Sequence, residues 1–232
     1  LKFVLLTGVT KFSQVSVFSG FNQPDDISMV EDFEALCGIT KEELLTVFAE
    51  SIRELAQKWR ITEEEVKTKL KRQYDGYHFS ESMLGVYNPF SLLNCFRHKK
   101  MADFWFSSGT PSYLVRLLNH AQEHINELTQ RYYRPEEFVD YKADVERPLP
   151  MIYQSGYLTI KAYNPRRNTY LLDFPNKEVE NGFISILSAG YFKTVNSSGN
   201  AFIVSSIRGI RRTGGYLYFL VKSGMSFYTF RV

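Results

Sequence analysis

The stretch that most limits what this chain can fold into is residues 1–22, LKFVLLTGVTKFSQVSVFSGFN. Leu1, Phe3, Val4, Leu5 and Leu6 form an apolar run that stops at Thr7-Gly8. A run this short, bounded by glycine, predicts a strand buried on both faces. Such strands belong to parallel sheets covered by helices, which hold ligands outside the carboxyl ends of their strands. Thr7, Gly8, Thr10, Lys11 and Ser13 lie at that end. The expectation is a chain that opens inside a nucleotide-type α/β domain. The absence of an initiating Met at Leu1 suggests that it begins mid-protein.

The 232 residues suffice for one large or two small domains. With 44% hydrophobic residues, 19 Phe and 15 Tyr, they can bury a sizeable core. The net charge of +3 is unevenly spread. Residues 197–232 hold Arg208, Arg211, Arg212, Lys222 and Arg231 and no acid, so the rest is slightly acidic. That distribution offers no broad nucleic-acid footprint. Cys37 and Cys95 each sit inside an apolar pattern and predict two buried thiols in a reducing cytoplasm. There is no CxxC and no His/Cys cluster with zinc spacing. No apolar run reaches the roughly 18 residues of a membrane helix, and no signal peptide is present. A cytoplasmic location without membrane contact is expected.

Residues 19–28 predict a surface loop, and residues 31–37 a short helix ended by Gly38 at its C′ position. Thr40 with Glu43 reads as a capping box, opening one helix whose stripe is Leu44, Leu45, Phe48, Ile52, Leu55, Ala56 and Trp59. Thr62 with Glu65 opens a charged helix with Val66, Leu70 and Tyr74 inward. An aromatic turn follows, Tyr74 to Phe79. Asn88-Pro89 starts a helix to about Arg97, and Thr110-Pro111 starts another with Leu114, Leu117, Leu118 and Ala121. Residues 125–144 show no clear period. Residues 147–154 predict a helix, residues 157–163 and 169–174 a β-hairpin turning at Arg166-Arg167, and Val179, Phe183, Ile186, Leu187 and Tyr191 a further helix. Helix, hairpin, helix is the pattern of a winged-helix unit, with the hairpin as wing. In the tail, residues 216–221 and 226–232 could pair as strands.

Seven stretches together carry a resemblance: FVLLTGVTKFSQVSVFSGFNQPDDIS, Cys37-Gly38 with ITKEEL, YDGYHF, VYNPFSLLN, FWFSSGTPSYLV, QSGYLTIKAY and FPNKEVENGF. In this order, over residues 1–195, they resemble a bacterial AAA-ATPase-like family. In that family an ATPase domain and a winged-helix-like region usually precede a PD-(D/E)xK nuclease domain. The resemblance implies the following fold class: an α/β remnant, the C-terminal part of a P-loop-type core, plus a mainly helical region with a winged-helix unit (α+β). It divides the chain into core (1–38), helical region (39–145), winged-helix-like unit (146–196) and an atypical tail (197–232).

The family's phosphate loop, G-x-x-x-x-G-K-[ST], and its acidic strand have no counterpart in this chain. ATP and Mg are therefore expected for the intact family member and not for this chain alone. The implied partners are the missing P-loop segment, the nuclease domain, and a nucleic acid or protein. A nuclease of this class needs carboxylates for its metal ions. The acid-free tail cannot supply them, and a frameshift or premature end near residues 197–199 would explain the break in composition.

Thr7, Thr10 and Lys11 resemble the sensor position of AAA-type ATPases, where a polar side chain feels the γ-phosphate. The alternative is a solvent-facing turn. Asp75, Tyr77 and His78 form either a polar cluster or an aromatic turn locking helices onto the sheet. His120 and His124 have the four-residue spacing of a metal pair, but no third ligand is evident beside them or His98. Arg166 and Arg167 at the wing tip would meet phosphates if the unit binds DNA. The helix before them offers few basic groups, which favours a lid or protein contact. Arg116 or Arg147 could reach a nucleotide from the lid. No Ser-His-Asp set, paired acid–base carboxylates or GxGxxG is present.

Overall fold

Two reciprocal caps start the helical part, in a computed structural model that describes residues 25–107, 128–139, 148–183 and 185, and the strands within 206–231. The Thr40 and Thr62 hydroxyls each accept from the amide three residues on, Glu43 and Glu65, at 3.2 Å. The carboxylates of Glu43 and Glu65 accept in return from the threonine amides, at 2.8 and 2.9 Å. These boxes open α1 (Lys41–Thr46) and α3 (Glu63–Tyr74). Between them lies α2 (Ala49–Trp59), closed by Arg60 in the left-handed region. The single helix expected from Thr40 to Trp59 is broken at Val47-Phe48. Val47 is 70% exposed, while Phe48 leaves helical geometry and stacks on Phe96 at 5.5 Å. Tertiary packing of one ring decides the break, and no glycine or proline marks it.

Upstream, residues 31–37 do not form the expected α-helix. Glu31–Phe33 is one turn of 3-10 helix, followed by turns closed by Leu36 N–H to Phe33 O and Gly38 N–H to Ala35 O. Without an inward stripe, Leu36 is 60% exposed and Cys37 is exposed, which corrects the expectation of two buried thiols; Cys95 is buried. Gly38 has a different reason from the one expected. A Cβ there would lie 2.3 Å from Val86 Cγ2, so the close approach of two strands requires glycine. Those strands are β1 (Ile39–Thr40) and β2 (Val86–Tyr87), paired antiparallel. Asn88 then caps α4 (Pro89–His98) by accepting from Ser91 N–H at 3.2 Å, with Pro89 in the first turn as predicted. α5 (Phe104–Ser107) follows. The apolar stripes meet in one cluster: Leu44, Ile52, Leu55, Val66, Leu70, Tyr74, Tyr87, Leu92 and Cys95.

The second part is built on a three-stranded antiparallel sheet of order β3-β5-β4. Its elements run β3 (Arg131–Tyr133), α6 (Pro135–Phe138), α7 (Leu149–Gln154), β4 (Thr159–Asn164) and β5 (Thr169–Asp173). Helical residues 177–183 come next. β4 and β5 are the expected hairpin, whereas β3 was not anticipated, because three residues carry no readable alternation. A bulge between Ile160 and Ala162 shifts the β4–β5 register at Lys161. Phe138, Ile152, Tyr157, Leu158, Ile160, Tyr170, Leu172, Val179 and Phe183 form the core of this part, which Tyr77 and Val86 of the helical part also enter.

A separate antiparallel sheet joins β6 (Ser206–Thr213), β7 (Tyr216–Ser223) and β8 (Ser226–Arg231). The architecture is α+β, with small antiparallel sheets. The expected buried first strand, residues 1–6, lies outside the described residues. Among the described residues, no helix is long and apolar enough to cross a membrane.

Candidate functional site

The two parts meet where the turn after α3 lies against β4. Asp75 closes α3, and its Oδ1 accepts from Gly76 N–H at 2.7 Å. Gly76 has φ +100°, and a Cβ there would lie 2.4 Å from Pro175 O, so only glycine lets the chain turn this close to the end of β5. Tyr77 bridges to Val86 through backbone hydrogen bonds of 3.3 and 3.0 Å. His78 then crosses to β4. Its N–H donates to Thr159 Oγ1 at 2.8 Å, and the same hydroxyl donates to His78 O at 2.9 Å. His78 Nδ1 donates to Ile160 O at 2.8 Å. Burial, and then the Lys161 charge, lower the His78 pKa and favour the neutral ring.

Lys161, turned by the bulge, clamps the other side. Its Nζ donates to Gly76 O and to Pro175 O, both at 2.9 Å. Burial lowers its pKa, opposed by Asp173 and Asp75. His78 and Gly76 of the turn are thus joined to Thr159, Ile160 and Lys161 of β4. The arrangement joins elements.

Glu178 forms the second contact. Asn176 caps the helix that holds it, accepting from Val179 N–H at 3.2 Å. The Glu178 side chain is fully buried and reaches back to α4 and α5. Its Oε1 accepts from Trp105 N–H at 2.8 Å, and the same N–H reaches Ser91 Oγ at 3.2 Å. Glu178 Oε2 and Asn176 Nδ2 are buried without a hydrogen-bond partner. Burial pushes the Glu178 carboxyl up to about 7; the Ser91 hydroxyl nearby and the Trp105 bond act against this and nearby Asp103 adds to it. The Trp105 ring packs on Tyr157 at 5.1 Å.

Of the residues singled out in the sequence, Asp75, Tyr77 and His78 form this turn, which locks the helical part onto the sheet. Thr7, Thr10, Lys11, Arg116, His120, His124 and Arg147 lie outside the described residues. His98 ends α4 and stacks on Phe104 at 5.8 Å. Arg166 and Arg167 are exposed at the β4–β5 turn. Asn164 holds that turn, its Oδ1 accepting from Arg166 N–H at 3.1 Å and its carbonyl from Arg167 N–H at 3.3 Å. Lys161 and Glu178 were not anticipated. Lys161 looks like one polar position of an alternating strand, and Glu178 like an ordinary acid in a first helical turn. No local signal separates either from a solvated side chain.

The described residues contain no glycine-rich phosphate loop of the P-loop kind. Nor do they gather three or more His, Cys, Asp or Glu side chains able to hold a metal ion. No family model and no solved structure matches the chain. A curated relative from Azotobacter chroococcum mcd 1, described as an uncharacterized protein in the vnfD 5' region, is 34% identical over 185 residues. The match takes in 78% of this chain and 33% of the relative. The chain thus spans about a third of the length of the curated relative it matches.

Proposed function

We propose that this chain is part of an AAA-ATPase-like protein, and that its described residues are a helical region and a winged-helix-type unit that pass on nucleotide-driven change to a partner or an attached nuclease domain. The observation that carries this reading is the sheet of order β3-β5-β4 with α7 entering its hairpin. We read this sheet, with α7 leading into its hairpin, as the pattern of a winged helix. α7 has Leu149, Pro150 and Ile152 buried and carries no cation. A helix so covered is a poor reader of a DNA groove, which needs exposed polar side chains on base edges. Contact and transmission remain as its use, in line with the hydrogen bonds that tie the sheet to the α3 turn. ATP and Mg would be bound by segments outside this chain, with Thr7, Thr10 and Lys11 near the γ-phosphate. Two free thiols suit a reducing cytoplasm.

The test is hydrogen exchange on the protein expressed with its flanking coding sequence, with and without ATP and Mg. Protection of residues 7–11 by nucleotide is expected, and unchanged exchange there would overturn the reading.

One observation favours a second reading, a non-enzymatic module that binds DNA or protein: Arg166 and Arg167 stand exposed together at the tip. Two phosphate contacts would steepen the salt dependence of DNA binding by about 2 in log–log slope. We expect fluorescence anisotropy to show no such dependence, and R166A/R167A to leave it unchanged. A slope that falls by about 2 in the double variant would favour the module.

A further inference from the structure

We infer that Glu178 is a protonation-controlled latch: its neutral carboxyl holds the helical part to the sheet part through the Trp105 amide, and ionisation loosens that junction. Three observations place it there. The side chain is 0% exposed. It spans from the helix after β5 to the amide of Trp105, 73 residues away in sequence. Its Oε2 is buried and has no partner.

The groups facing it decide which charge state fits. The Trp105 amide of α5 supplies a neutral hydrogen bond, shared with the Ser91 hydroxyl of α4. Asp103, before α5, is a second acid, and it already accepts from Gln73 at 2.6 Å. Among the described residues, Tyr74, at the end of α3, and Tyr77, in the turn, are the remaining titratable groups that interact with it. None of these is a cation, and the neighbouring Lys177 is paired with Glu180 at 2.6 Å. The helix start and the Trp105 amide favour an anion. Full burial, a bare oxygen and Asp103 oppose it. A bare buried charge is penalised far more than a bare neutral hydroxyl, so the neutral acid is the form that fits.

The direction of the pH effect follows. The folded-state value, about 7, lies above that of an exposed carboxyl. The stabilisation is therefore fully present below the exposed-carboxyl range and is lost as pH rises through about 7.

Hydrogen–deuterium exchange on the full chain, corrected for intrinsic rates, tests this at about pH 5.5 and about pH 8. At the higher pH, amides of residues 101–107 and 176–183 are expected to open at least about tenfold more often. E178Q keeps the shape and cannot ionise, so it should show no pH dependence at these amides. D103N should retain it. Equal protection of the wild-type junction at both pH values would overturn the latch. So would a pH response that survives in E178Q, or one that disappears in D103N. Should E178Q fail to fold, the wild-type and D103N profiles still decide.

Discussion

Gly76 and Lys161 show how single residues carry the joint between the two parts. Gly76 holds φ +100° within 2.4 Å, from its would-be Cβ, of Pro175 O. G76A must either strain its backbone or push β5 away, and should lose about 2–4 kcal/mol in urea unfolding. Lys161 is half-buried and donates to two carbonyls. K161M keeps the stem but leaves those carbonyls unanswered, and should lose about 2 kcal/mol. A loss under about 0.5 kcal/mol would mean that water replaces the ammonium without penalty. The two residues differ in how far the sequence announces them. Asp75-Gly76 reads as a turn on sight, because both residues favour one. Lys161 reads as any strand lysine, because nothing local says that the strand bulges toward another segment's carbonyls.

At the level of elements, chemistry confined to four or five residues was readable. Both capping boxes, the Asn88-Pro89 helix start and the β4–β5 hairpin stand where their residues predict. Asn88 caps α4 through its side-chain oxygen. N88A should therefore cost about 1 kcal/mol, measured by urea unfolding. N88D keeps a capping oxygen and should recover most of that loss. The elements that escaped prediction are those whose limits come from packing. Phe48 interrupts a continuous helical stripe to reach Phe96. β3 has no pattern of its own and exists because β5 offers it an edge. The turn of 3-10 helix at Glu31–Phe33 replaces an α-helix whose apolar residues find no face to cover.

On the scale of the molecule, hydrogen bonds among the described residues tie the helical part to the sheet part at His78, Lys161, Tyr170–Glu81 and Trp105–Glu178. Trp105 adds its ring on Tyr157 to its N–H hydrogen bond with Glu178. W105A should lose about 3 kcal/mol and uncouple the parts. Hydrogen exchange would then show residues 149–183 opening more readily than residues 41–98; an equal change in both would mean that they unfold as one unit. A joint of this kind suits a segment proposed to transmit change from one neighbour to another.

By itself the sequence determined the two boxed helix starts, the Asn88-Pro89 start, the hairpin and its exposed arginine tip, since each depends on residues within a turn or a strand of one another. Tertiary structure alone decided that Cys37 faces outward, that Gly38 must lack a side chain, that β4 bulges at Lys161, and that Glu178 loses all contact with solvent. The reason is distance along the chain. The bonds from Trp105 and the α3 turn to Glu178 and β4 join residues 73 to 85 positions apart, and Gly38 meets Val86 of another strand. Burial at that separation depends on which surfaces meet, and local propensity carries no record of it.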